Sequence, residues 1–310
     1  MILIVNLNLA VDHIVEVDEL RAGEVQRSRD ARQQAGGKGV NVARVLKTLG
    51  APSLLLGFCG GRAGDLIAAG LRAEKLDSLC TPTRAESRTC LIINDHGRRA
   101  QTVINAPGAA IDAAEWRDFA ATYTRELPRA EFVVITGSLP PALPEDTYAR
   151  LTGEATRASK RVLLDCAGAP LTRALAARPF LVKINGAEAS EFTDASVADF
   201  SGAARATRAL CERGALNAMI TLGERGALLD FAGVRYRFVA PHVRAVNSVG
   251  SGDAALAGLV AAFSRGETPE AAGALAVAAG AANALHGAGG CSAEEISELR
   301  PRVGCEVEES

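Results

Sequence analysis

The chain has 310 residues, enough for one large α/β domain or two small ones, and 48% of them are hydrophobic with only 4% aromatic, so its core is aliphatic. Lys plus Arg number 34 and Asp plus Glu 36, a formal net charge of −2; the overall charge predicts no nucleic-acid partner and no anionic membrane, and any affinity for anions has to be local. Seven cysteines, an odd number with no C-x-x-C pair, argue for reduced thiols in a cytoplasm and against a disulfide frame or a zinc site.

Met1 to Leu7 is a continuous apolar run, which predicts a strand buried on both faces. It opens with no basic leader or cleavage signal, so no targeting segment is expected. His13 to Val17 alternates like an exposed strand, and Val25 to Gln34 is polar and strand-like with no core face. Together they predict a two-sided flap. Gly36-Gly37-Lys38-Gly39-Val40-Asn41 then feeds a helix, with Val42, Val45, Leu46 and Leu49 at helical spacing and Gly50 at the C′ stop. Glycines ahead of a helix N-terminus make an anion site, because the first amides lack partners and carry partial positive charge. Lys38 is one of only five lysines, so a lysine in this loop stands out. The alternative is a plain turn with Lys38 in solvent. A Walker A spacing is absent.

Ser53 to Gly57 reads as a buried strand, residues 57–64 as a glycine loop, and the stretch to Leu71 as a helix; the dinucleotide spacing G-x-G-x-x-G is missing. Arg88 to Asn94 and Ala100 to Asn105 alternate about a polar turn, which predicts a hairpin that completes the flap. From residue 112 onward, helices alternate with strands at Phe132–Thr136, Val162–Leu164, Phe180–Ile184 and Asn217–Thr221, the pattern of a parallel sheet covered on both faces. Polar residues recur just after these strands, at Ser138, Asp165, Asn185 and Glu188, where ligands of open α/β sheets bind. A hairpin at Ala227–Val239 follows. The alanine-rich run Ala271–Leu285 is too short and too interrupted to span a bilayer and reads as a buried helix. His13, His96, His242 and His286 show no metal spacing and no triad.

The stretch Val246–Phe263 is a second glycine loop running into an apolar helix, with Asp253 at the junction. Two readings fit: an N-cap, for which Asp is favoured, or a general base beside a phosphate nest.

Taken in order, Gly36–Arg44 (G-G-K-G-V-N-V-A-R), Thr136–Pro141 (T-G-S-L-P-P), Lys183–Glu188 (K-I-N-G-A-E), Thr221–Ala227 (T-L-G-E-R-G-A) and Asn247–Ala254 (N-S-V-G-S-G-D-A) are together specific where each alone is weak. Over essentially its whole length the chain resembles the PfkB (ribokinase-like) carbohydrate kinases, most of all their sugar-phosphate branch. The resemblance implies an α/β fold: a ribokinase-like three-layer α/β/α sandwich with a mostly parallel sheet. One domain would span residues 1–310, with a small β-sheet lid built from about residues 9–35 and 86–106. It implies ATP and Mg²⁺ as cofactors. Asp253 would be the catalytic base and Gly250, Ser251 and Gly252 the anion hole. Thr221, Gly223 and Gly226 would line the ATP site, with Lys183 near the phosphates and Asn283 at the adenine side. Asn185 and Glu188 would hold Mg²⁺ through water and the triphosphate. Asp12, Gly37 and Asn41 would bind sugar hydroxyls. Lys38 and Arg88, with Ser138, would hold the phosphate already on the sugar, and Asn105 would face the same pocket from the flap. A homodimer through the flap is a family-level expectation.

Two departures from the family pattern occur: Leu9 replaces the usual proline in Asn8-Leu9-Ala10-Val11-Asp12, and Ser251 stands where Ala is common. The expected activity is phosphorylation of fructose 1-phosphate at its 6-hydroxyl, with tagatose 6-phosphate and fructose 6-phosphate as rival acceptors. An unphosphorylated sugar or nucleoside would leave Lys38 and Arg88 idle. A non-catalytic sugar-phosphate or nucleotide sensor would have no use for a base, and a dehydrogenase would need the missing fingerprint.

Overall fold

The apolar run at the start forms β1 (Ile2–Val5), buried on both faces, as a strand inside a parallel sheet must be. The computed structural model describes residues 1–98, 100–286 and 289–309. After β1 come β2 (Ala10–Val17), β3 (Asp30–Gly36) and α1 (Lys38–Thr48), then β4 (Ser53–Gly60), α2 (Gly61–Ala73) and β5 (Ser78–Thr83). β6 (Arg88–Asp95) and β7 (Ala100–Ile104) form the expected hairpin. The alternating part runs through α3 (Ala113–Glu126), β8 (Phe132–Thr136), α4 (Thr147–Arg157), β9 (Arg161–Asp165), α5 (Gly168–Ala174), β10 (Leu181–Asn185), α6 (Gly186–Thr193), α7 (Phe200–Glu212) and β11 (Asn217–Thr221). The chain closes with β12 (Gly226–Phe231), β13 (Val234–Val239), α8 (Ser251–Ser264), α9 (Pro269–Ala284), α10 (Ala293–Leu299) and β14 (Gly304–Glu309).

Ten strands form the large sheet, in the order β14-β13-β12-β11-β10-β9-β8-β1-β4-β5. Every pairing from β11 to β5 is parallel, and β12, β13 and β14 extend the sheet in antiparallel fashion. Alternation along β1 sends Ile2 and Ile4 into the core shared with α1, α2, α8 and α9, and Leu3 and Val5 into the core shared with α3, α4 and α7. That makes the three-layer sandwich. The small sheet, β3-β2-β6-β7, stands apart from it.

Four differences from the sequence reading have physical causes. β3 begins at Asp30, not Val25, and runs into Gly36. The stretch 57–64 is not a loop: β4 continues through Gly60 and α2 starts at Gly61. Its glycines serve close approach, since a Cβ at Gly57 would lie 2.6 Å from the Asn6 carbonyl oxygen and one at Gly60 2.1 Å from that of Ala85. β5 escaped notice because it contains Pro82, which a sheet edge tolerates. α6, α10 and β14 are short and carry little periodicity; a capping box, Asn185 with Glu188, starts α6.

Candidate active site

The carboxyl ends of β8, β10 and β11 face the small sheet across a cavity of about 1300 Å³. Pockets for one small ligand hold roughly 300–1000 Å³, so this one has room for two ligands end to end. Lys38, Lys183 and Asp253 lie on its wall, between an end at the small sheet and an apolar end against α9.

The loop before α8 turns at Gly250, whose φ of 81° is one that side chains resist. Gly250, Ser251, Gly252 and Asp253 all line the cavity. Asp253 sits in the first turn of α8, only 6% exposed, and accepts a hydrogen bond from the Asn41 amide at 2.9 Å. Burial pushes its pKa up to about 6, against the pull of Lys38. Asn283, expected at the adenine side, instead lies fully buried behind this loop and does not line the cavity. Its amide donates to the Val249 carbonyl at 2.9 Å and to Ser251 Oγ at 3.1 Å, so it braces the loop from within.

Below the loop lies a charge cluster absent from the expected roles. Asp165, at the end of β9, is fully buried between two ammonium groups: Lys38 Nζ at 3.0 Å and Lys183 Nζ at 2.9 Å. Lys38 also meets Glu188 Oε1 at 3.3 Å. Burial opposes the Asp165 charge, but the two lysines outweigh it and hold its pKa below the ordinary value. Burial likewise opposes the Lys38 ammonium; Asp165, Asp253 and Glu188 outweigh it and hold that pKa above the usual lysine range. Lys38 and Arg88, expected to hold a phosphate together, both line the cavity but have different partners. Lys38 belongs to the carboxylates at the centre, while Arg88 donates to the carbonyls of Ala106 (2.9 Å) and Asn8 (3.0 Å). Its Nε is buried and has no hydrogen-bond partner among the described residues.

At the small-sheet end, Asp12 on β2 lines the cavity, with burial raising its pKa to about 6 against the charges of Arg44 and Arg88. Asn105 is exposed on the same wall, and Ser138 Oγ accepts from the Asn8 amide at 2.9 Å. Gly37 turns with φ 117° beside Asn6, whose Oδ1 accepts from the Gly39 amide at 2.8 Å. A Cβ on Gly36 would lie 2.2 Å from the Asp12 carboxyl carbon. Gly36→Ala is therefore expected to displace Asp12 and raise KM for the sugar substrate by about 10-fold or more, with KM for nucleotide unchanged. Steady-state kinetics in both substrates checks this.

At the other end, Thr221, Gly223, Gly226 and Asn185 line the cavity beside an apolar slot of Val243, Ala245, Val249, Val277, Ala281 and Ala284. Gly226 is required there: a Cβ would lie 2.0 Å from the Phe238 carbonyl oxygen. The slot was not foreseen, because alanines on an apolar helix such as α9 read only as core.

A magnesium ion fits these residues in a limited way. Among the described residues no cluster of three or more His, Cys, Asp or Glu could hold a metal, and Mg²⁺ at phosphates needs only one or two carboxylates besides its waters. Glu188 Oε2 accepts from the Asn185 amide at 3.0 Å and Oε1 meets Lys38. Glu188 does not line the cavity itself, which suits contact through water.

Comparison with known proteins follows the same lines. The pattern of pfkB family carbohydrate kinases matches residues 2–295. A 1-phosphofructokinase of Bacillus subtilis is 33% identical over 303 residues, 98% of each chain. A 1-phosphofructokinase of Xanthomonas campestris is 36% identical over 263 residues, 84% of this chain and 83% of that one. The crystal structure of phosphofructokinase-2 from Escherichia coli in complex with fructose-6-phosphate superposes with a TM-score of 0.88, covering 97% of this chain and 98% of that one; at 24% identity it speaks for the fold.

Proposed function

The chain belongs to the pfkB family of carbohydrate kinases, and on that premise we propose that it transfers the γ-phosphoryl group of ATP to the 6-hydroxyl of fructose 1-phosphate, making fructose 1,6-bisphosphate. The observation that carries this reading is the buried Asp253 in the first turn of α8, beside a glycine loop and within the field of Lys38 and Lys183. Phosphoryl transfer asks mainly for positioning and charge stabilisation. The nucleotide base occupies the apolar slot against α9 and its phosphates point toward Gly250–Gly252. Asp12 and Asn41 hold the sugar hydroxyls. Arg88, whose guanidinium lines the cavity, holds the 1-phosphate together with Ser138, while Asn105 closes over it.

Asp253 then takes the proton of the 6-hydroxyl as that oxygen attacks the γ-phosphorus and the bond to ADP breaks. First-turn amides of α8 and the ammonium groups of Lys38 and Lys183 face the charge that develops. Bound with the triphosphate, Mg²⁺ supplies further charge neutralisation, and Glu188 would hold it through water. The small sheet acts as a lid that excludes water from the transfer. Its outer strand exposes Ile104 (56%), which supports a homodimer joined there. No helix among the described residues is long and apolar enough to cross a membrane, which suits a cytoplasmic enzyme.

The test is ADP release with Mg·ATP across fructose 1-phosphate, tagatose 6-phosphate, fructose 6-phosphate, free hexoses, ribose and adenosine. The highest kcat/KM is expected with fructose 1-phosphate. Preference for a 6-phosphate would reverse the acceptor's orientation, and activity on unphosphorylated acceptors alone would remove Arg88 from its role.

A further inference from the structure

Asn41 faces Asp253 with its amide nitrogen and not its oxygen, and something has to hold it that way. A side-chain amide can rotate by half a turn at little cost to its shape, and the flipped form would turn an oxygen toward the carboxylate. Arg44 lies three residues on, over the same face of α1. Its NH1 donates to Asn41 Oδ1 at 3.2 Å, and Asn41 Nδ2 donates to Asp253 Oδ2 at 2.9 Å. A guanidinium has donors and no acceptor. The Asn41 atom that meets it must therefore be the oxygen, which leaves the nitrogen for Asp253.

Arg44 is itself fixed. Its Nε meets Glu74 Oε2 at 2.6 Å and its NH2 meets Glu74 Oε1 at 2.7 Å, a two-pronged pair to the residue that caps α2. NH2 also donates to the Ala35 carbonyl at 2.7 Å. Ala35 precedes Gly36, where an added Cβ would run into the Asp12 carboxylate. The same side chain thus reaches the edge of the small sheet and, through one amide, the base.

We propose that Arg44 is a positioning residue for phosphoryl transfer: it sets the orientation of Asn41 so that Asn41 donates to Asp253 and keeps that carboxylate aimed and ionised. The proposal rests on the reading of Asp253 as the base. Lys38, Asp165 and Lys183 also act on Asp253, and Arg44 substitution leaves their mutual contacts in place; Arg44 itself acts on the Asp12 carboxylate.

The experiment compares Arg44→Met, Arg44→Lys and Glu74→Gln with the parent protein in kcat, both KM values, the pH profile of kcat with the sugar site saturated, so that Asp12 is engaged, and thermal stability. Arg44→Met is expected to lower kcat by about 10- to 100-fold, with KM for nucleotide within about threefold and KM for the sugar phosphate raised, because Asn41 and Asp12 also face the sugar. A hydrogen bond to the carboxylate form lowers its pKa, so losing it moves the acid limb upward, by about half a pH unit or more. Arg44→Lys keeps one donor and should recover part of both effects; Glu74→Gln should show a weaker version of the Arg44→Met result. In an Asn41→Leu background, Arg44→Met should add little, because the relay is already cut. A kcat within twofold of the parent with an unmoved acid limb overturns the proposal. So does a loss of kcat, both KM values and stability together with no recovery in Arg44→Lys, since that pattern belongs to a purely structural arginine. An Asp253→Asn protein that still turns over would instead remove the base reading itself, so the two failures are separable.

Discussion

Asp253→Asn is expected to lower turnover by about 10³-fold or more, while ATP affinity stays within about threefold. The substitution keeps the volume and a hydrogen-bonding partner for Asn41, but the group can no longer accept a proton. Nucleotide affinity depends on the slot against α9 and on the loop amides, which the change leaves alone. Single-turnover kinetics and calorimetric titration with nucleotide measure the two effects separately. Near-normal turnover would leave Asp253 as nothing more than a first-turn acid. The same carboxylate sets a pH limit. Burial raises its pKa to about 6, so the base is present above that pH and is lost as pH falls through it. Below about pH 6, kcat/KM should drop by about tenfold per pH unit or more, since Asp12 in the sugar site also titrates at about 6. A flat profile down to pH 5 would contradict the raised pKa.

Asp165→Asn should be the most damaging change for stability. The carboxylate is fully buried and holds both Lys38 and Lys183. Without its charge, two ammonium groups face each other over a neutral amide. Removing one member of a buried ion pair costs about 3–5 kcal/mol, which lowers Tm by on the order of 5–10 °C in a domain of this size. The pH dependence has a definite sign. Asp165 has a pKa below its ordinary value in the folded chain, so its contribution is present above the unfolded value and fades as pH falls through the folded one. The parent and the variant should therefore differ most near neutrality and converge in acid, which thermal unfolding at several pH values would show. Activity should fall as well, because Lys38 and Lys183 lose the anchor that aims them at the cavity. A variant of unchanged stability at pH 7 would mean that Glu188 and Asp253 alone neutralise the lysines.

Local patterns carried a large share of this protein. Glycines followed by an apolar helical period at residues 36–49 and 250–263 located both loops that border the cavity, because a helix N-terminus and a backbone free of Cβ are local properties. Uninterrupted apolar runs at Ile2–Val5 and Phe132–Thr136 announced strands buried on two faces for the same reason. What failed at this level was equally local: short elements such as α6 and β5 have too few residues to show a period. Glycines 57 and 60 resembled a loop because a glycine for close packing and a glycine for turning look alike in sequence.

The rest was decided by tertiary contact. Asp165 meets Lys38 across 127 residues, and Asn41 meets Asp253 across 212. No spacing rule spans such distances. The fold alone gave Lys38 its carboxylate partners, buried Asn283 behind the glycine loop, and made α9 the wall of an apolar slot. The sequence by itself determined which segments could bind an anion and which could be buried, since both follow from neighbouring residues. The tertiary structure decided which charges neutralise one another and which donors remain for a ligand, because those depend on burial and on partners that only folding brings within 3 Å.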